Sequence, residues 1–148
     1  MHFNDVYEIE PLKIKDNCAA SEQIIGGAAR FTTAFKRHNF QDKLVLFSGD
    51  IFGPSLISAH YTGSQMVDYL KTLNVECCCL GNHETEYGLN RMQELIQMSE
   101  RPWLLSNFFM EDGSLLPGCQ ETHITEFNGV KIGLMGLCDD DWLEIISP

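Results

Sequence analysis

Residues 75–86 read VECCCLGNHETE, three consecutive cysteines and a leucine running into a glycine, an asparagine, a histidine and an acid. A short apolar run that stops at a glycine has the form of a strand buried on both faces. Neighbours on a strand point to opposite sides, so Cys77 and Cys79 share one face and Cys78 takes the other. The six cysteines (Cys18, Cys77, Cys78, Cys79, Cys119 and Cys138) include no C-x-x-C pair, so the usual zinc spacing is absent. Free cysteine packs as a small buried hydrophobe. The triplet is read as a core strand in a reducing compartment, and the chemistry passes to the residues it delivers, Asn82, His83 and Glu84.

Working outward, KLVLFSGD at 43–50 has the same form, an apolar run ending in a glycine and a polar residue. Helical spacing lies between such runs. From Ser21 to about Asn39, Ile25, Ala28, Ala29, Thr32 and Phe35 recur on one face, with Ser21 as N-cap. A second helix opens at TGSQ, where Thr62 and Gln65 fit a capping box. Met66, Leu70 and Leu73 line it, and Asn74 closes it. A third runs from about Leu89 to Met98 on Leu89, Met92, Leu95 and Ile96. RPWLLSN reads as another strand. THITEFNGVKIGLMGL is two extended runs about Asn128-Gly129, the strongest short hairpin signal. Strands alternating with helices imply an α/β fold with a mainly parallel sheet, whose ligands gather beyond the carboxyl ends of the strands.

Composition bounds the function. The 148 residues suit one domain or part of one, and 44% hydrophobic with 21% charged residues is ordinary globular usage. A net charge of −11 opposes a nucleic-acid surface. No apolar run approaches a membrane span, no signal peptide is visible, and no N-x-S/T acceptor occurs, in line with a cytoplasmic protein. Neither a P-loop nor a G-x-G-x-x-G is present.

Three strand ends then carry Asn4, Asp5 and Tyr7; Ser48, Gly49 and Asp50; and Gly81, Asn82, His83 and Glu84. On adjacent parallel strands they meet at one rim. Carboxylates, an amide and an imidazole suit Mn, Fe, Zn or Mg. Each motif alone is a common turn or helix cap; their joint placement favours a site. The remaining histidines have ligand spacing with none of the others: His2 precedes the first loop, His38 ends a helix, His60 lies in a loop and His123 starts a hairpin strand.

These residues resemble the calcineurin-like metallophosphoesterases, and the 5'-nucleotidase branch most closely. The resemblance is carried by ND-x-Y near the start, GD at 49–50 and GNHE at 81–84, with GGAAR, LFSGDIFGPS, PWLLSN and GVKIGLMGL in support. It covers essentially the whole chain. It implies a metallophosphoesterase-type sandwich with a mainly parallel sheet and βαβ units, incomplete over these residues. It implies two divalent metal ions and hydrolysis of phosphomonoesters, nucleotides among them. Asp5 would bind the first ion, Asp50 would bridge both and Asn82 would bind the second. His83 would face the phosphate, oriented by Glu86, where the branch usually has aspartate. Tyr7 stands where the family has a histidine ligand. The alternative is a degenerate fold used as a binding module. Residues 1–148 are expected to be the N-terminal portion of a catalytic domain, because the first strand looks clipped and the family's later histidine ligands, including a G-H-x-H segment, do not appear.

Overall fold

The computed structural model describes residues 1–15, 22–37 and 43–142. The expected positions Cys18, Ser21, His38 and Asn39 lie outside them. Its centre is a four-stranded parallel sheet made, in spatial order, of β1 (His2–Phe3), β4 (Leu46–Phe47), β5 (Cys77–Cys79) and β6 (Trp103–Leu104). The registers pair His2 with Leu46, Leu46 with Cys77 and Cys78 with Trp103. The three motif-bearing loops therefore leave three neighbouring strands at the same end.

The cysteine triplet is β5, as its alternation requires. Cys77 and Cys78 are buried and Cys79 is half-buried. Burial pushes the Cys77 thiol up to about 12 and Cys79 to about 11, and holds Cys78 well above the ordinary thiol value. Around β5 the core gathers Phe47, Leu70, Met92, Leu95 and Trp103, all at most 1% exposed. The Trp103 indole N–H donates to Ser99 Oγ at 2.9 Å, so the ring is buried with its polar edge satisfied.

Two helices follow the expected apolar faces. Helix α3 (Gln65–Thr72) buries Met66, Val67 and Leu70, Leu73 follows at its C-cap, and Asn74 leaves with φ 49°. Helix α4 (Leu89–Ser99) buries Met92, Leu95 and Ile96, while Leu89 is 41% exposed and lies off the buried face. Strands β7 (Thr122–Phe127) and β8 (Val130–Met135) form the expected hairpin about Asn128 and Gly129, both at positive φ. The hairpin is pinned beside β6, where the Asn107 side chain donates to Cys138 O at 2.7 Å and accepts from Cys138 N at 2.9 Å.

Two expectations are corrected. The helix from Ser21 begins only at Ala28: α1 is Ala28–Lys36, and Glu22–Ile25 is strand β3, antiparallel to β2 (Leu12–Lys15). Gly26 and Gly27, at φ 63° and 87°, break the chain between them. A Cβ on Gly27 would lie 3.1 Å from Pro11, so the turn packs against the start of β2. Nor does Thr62 cap the second helix. It closes an additional helix, α2 (Leu56–Tyr61), in the left-handed conformation at φ 47°, and His60 belongs to that helix's last turn. The N-cap of α2 is Ser55, whose Oγ accepts from Ser58 N at 3.0 Å. Ser64 caps α3 without a side-chain bond, and the Gln65 side chain turns instead to Ser58.

The loops after β4 and β5 are joined by one buried acid. Glu84 is 0% exposed. Its Oε2 accepts from Asp50 N at 2.8 Å and Gly81 N at 2.6 Å; its Oε1 accepts from Ile51 N at 2.6 Å and Phe52 N at 3.3 Å. Burial raises its pKa, and the N–H donors pull against that. Two donors on each oxygen suit a carboxylate, since a carboxyl proton would point at another donor.

Two outcomes follow from this packing. Glu84→Ala strands buried N–H groups that each cost about 1–3 kcal/mol unpaired, so urea unfolding should show a loss of roughly 3 kcal/mol or more. A loss below about 1 kcal/mol would contradict the role given to Glu84. At pH 8 the folded chain should be alkylated by iodoacetamide at Cys77, Cys78 and Cys79 far more slowly than the urea-unfolded chain, as read by peptide mass mapping. Equal rates would mean that these thiols are not core.

Candidate metal centre

Asp5, Asp50, Asn82 and His83 arrive on the three loops that the sheet order sets side by side. Asp5 N donates to Gly49 O at 3.0 Å and Val6 N to Asp50 O at 2.9 Å, which zips the first loop to the second. The second meets the third at two glycines: a Cβ on Gly49 would lie 2.6 Å from Gly81 Cα. Gly49 also sits at φ 90°, so both space and backbone demand glycine there. Asp5 and Asp50 themselves hold positive φ, 54° and 66°, a conformation that aspartate tolerates better than most residues.

Asp5, Tyr7 and Asp50 meet through their side chains, and His83 joins them through its main-chain N–H. The Tyr7 hydroxyl donates to Asp5 Oδ1 at 2.6 Å and reaches Asp50 Oδ2 at 3.2 Å. Asn4 Nδ2 donates to Asp5 Oδ2, and His83 N donates to Asp50 Oδ1 at 3.0 Å. The Tyr7 and His83 rings meet edge to face at 5.5 Å. Asn82, half-buried, opens the short 3-10 turn Asn82–Thr85 between Gly81 and His83. His83 Nδ1 and Glu86 Oε1 are 2.5 Å apart. A carboxylate only accepts, so Nδ1 carries the proton and Nε2 is left for a reaction partner.

These donors fit a divalent cation. Two carboxylates share one phenol, and the groups that reach them here, a phenol, an amide and a main-chain N–H, are all neutral. Like charges drawn to one oxygen call for a compensating positive charge. Burial first, and then both carboxylates, raise the Tyr7 phenol above its ordinary value, which keeps it a hydrogen-bond donor in this arrangement. A cation between the carboxylates would reverse the second of these pressures.

Two other histidines have partners of their own. His2 Nε2 contacts Ser48 Oγ at 2.6 Å, and His123, on β7, lies 3.9 Å from Glu76. Among the described residues, the one cluster of three acid, cysteine or histidine ligands within 4.8 Å is the exposed Asp139, Asp140 and Asp141, and it includes none of the rim residues. Sequence reading missed what Glu84 does. Its signal was an acid placed three residues after Gly81, the spacing that returns a carboxylate to that residue's N–H.

The family model for calcineurin-like phosphoesterase matches residues 1–145. A snake venom 5'-nucleotidase of Naja atra is 29% identical over all of this chain, which spans 29% of that protein. A probable 5'-nucleotidase of Treponema pallidum is 29% identical over 93% of the chain, which spans 24% of it. Among solved structures, a 5'-nucleotidase precursor of Thermus thermophilus superposes with a TM-score of 0.81 at 23% identity, over 96% of this chain and 28% of that one. The NAD nucleotidase of Haemophilus influenzae gives 0.79 at 24%, over 99% and 30%. The chain thus spans less than a third of these relatives, and the two structural likenesses show the fold. Since the family model runs through all three rim motifs, the chain belongs to the calcineurin-like phosphoesterase family.

Proposed function

We propose that this chain is the N-terminal portion of the catalytic domain of a metal-dependent phosphomonoesterase of the 5'-nucleotidase type, with nucleotides as its substrate class. The observation that carries this reading is the meeting of Asp5 and Asp50 on one hydroxyl oxygen, beside a paired His83 and Glu86. The 5'-nucleotidases among its relatives support the substrate class. A cytoplasmic setting belongs to the same proposal; the described cysteines, all free thiols, support it.

Asp5, Asp50 and Asn82 would hold two divalent ions, with Asp50 shared between them and Tyr7 at the place of a further ligand. Such ions supply Lewis acidity to a phosphoryl group and to the attacking water. The chain's own work is positional and acid–base. The main-chain N–H of His83 fixes one oxygen of Asp50, which leaves the other directed at the rim. Glu86 holds the His83 imidazole with Nε2 outward, where it can neutralise charge on the phosphate or donate a proton to the leaving oxygen. Tyr7 favours a second reading, the degenerate binding module, because a phenol held protonated between two carboxylates is a poor ligand.

Two measurements separate these readings. Calorimetric titration of the intact protein with Mn²⁺ should show Asp50→Asn losing affinity and stoichiometry; unchanged binding would remove Asp50 as the shared ligand. In the same protein, His83→Asn should lower turnover by roughly 10²–10⁴-fold while metal content stays at the parent level. Absent turnover in the parent protein would support the binding module, and loss of metal in step with activity would make His83 a ligand.

A further inference from the structure

The charge of this chain is unevenly spread. Residues 12–37 hold five of its ten lysines and arginines but only two of its 21 acids. A net charge of −11 therefore conceals one positive region. Lys71 and Arg91 are taken up in ion pairs with Glu100 and Glu94. Among the described residues Lys13, Arg30, Lys36 and Arg37 have no acid within ion-pair distance, and all four are exposed.

The same region exposes apolar surface. Strands β2 and β3 form a two-stranded sheet of their own. Their register pairs Leu12 with Ile25 and Ile14 with Gln23, which puts Leu12, Ile14 and Ile25 on one face; Lys13 pairs with Ile24 on the other. Leu12 is 61% exposed, and Ile14, Ile24 and Ile25 are 42–44% exposed. A two-stranded hairpin is marginal in water, and this one carries aliphatic side chains outward on both faces. Its base is joined to the basic side of α1. Ala28 N donates to Ile9 O at 2.9 Å, and Arg30 Nη1 donates to Gly26 O at 3.4 Å. Arg30, Ala34 and Arg37 line one groove along α1, and Arg30 lines a second with Gly26 and Phe31. The basic stripe of the helix thus begins where the hairpin ends.

We propose that the β2–β3 hairpin and the Arg30–Arg37 side of α1 form a surface that docks on an anionic lipid bilayer. Among the described residues no helix is long and apolar enough to cross a membrane, so the docking is peripheral, in the headgroup layer. Lipid fits this surface better than other anionic partners do. Aliphatic side chains on both faces of a thin hairpin are covered together at the boundary of headgroups and acyl chains, whereas the surface of a folded protein covers one face. Leucine and isoleucine give a nucleic acid no ring on which to stack a base. Lys13 stands between Leu12 and Ile14, where its stem can follow the strand inward while its ammonium returns to the headgroups. The two guanidinium groups on α1 match lipid phosphate. The acidic remainder of the chain is then turned away from the membrane. This surface owes nothing to the reaction proposed for the rim.

The test is co-sedimentation of the intact protein with vesicles, of phosphatidylcholine alone and of phosphatidylcholine with phosphatidylserine at about 7:3. The parent should bind the mixed vesicles in about 0.1 M salt, bind them far less in about 1 M, and leave the neutral vesicles unbound. Lys13→Gln with Arg37→Gln should lower the partition coefficient by roughly 30-fold. Leu12→Ser with Ile14→Ser should lower it by at least about 10-fold. All four positions are exposed, so both double variants should melt at the parent temperature. No binding by the parent, or equal binding to neutral and mixed vesicles, would overturn the proposal. So would parent-like binding by either double variant. Sedimentation velocity without vesicles covers the protein partner: self-association that both double variants abolish would assign the surface to a second copy of this chain and remove the bilayer. The lipid and salt comparisons use the parent alone, and they stand whatever the substitutions do to folding.

Discussion

Everything at the rim depends on where the Glu84 carboxylate sits. The strands that deliver the motifs are two or three residues long, too short to fix the loops that leave them. Between the second and third loops the work of a longer ladder falls to one buried acid, which gathers main-chain N–H groups from residues 50–52 and from Gly81. Burying a carboxylate is costly unless its oxygens are filled, and here they are. The same bonds bend the chain after Phe47 so that Asp50 points outward while Ile51 and Phe52 enter the core at 0% exposure. Core and site therefore share one fastening.

The electrostatics of the rim follow from that placement. Asp5 and Asp50 are brought together by main-chain bonds, not by attraction to each other. Tyr7 relieves part of the resulting tension by donating toward both, and its proton is held there by burial first and then by the very charges it screens. A histidine at position 7 would offer a neutral nitrogen to a cation. The tyrosine instead offers a proton to the carboxylates, so an arriving ion must compete with it.

Much of this was legible in the sequence because it rests on local rules. A strand that alternates and stops at glycine needs no tertiary information, and β4, β5 and β6 stand where their residues place them. Asn128-Gly129 dictated its turn through two positive φ angles. One failure arises because periodicity ignores backbone sign. Ile25, Ala28, Thr32 and Phe35 keep a helical spacing straight through Gly26-Gly27, where the chain turns over and a strand lies on the far side. Helix α2 is six residues long, less than two turns, and leaves almost no period to detect. The convergence of Asp5, Asp50 and His83 could be inferred from motif order. The task of Glu84 could not, since it requires the N–H groups of a loop roughly thirty residues away in sequence, which only folding brings near.

The contact of Gly49 with Gly81 has an evolutionary consequence. Where loops are joined backbone to backbone, the positions that make the joint have almost no freedom to vary, while the side chains that stand on it have a great deal. Tyr7 and Asn82 project from a frame held by main-chain contacts rather than by their own side chains. Such side chains can change one at a time, each altering the charge balance of the rim, while the joint beneath them keeps its contact. The tyrosine at position 7 stands on this joint, and glycine at 49 and 81 is what keeps the backbones beneath it in contact.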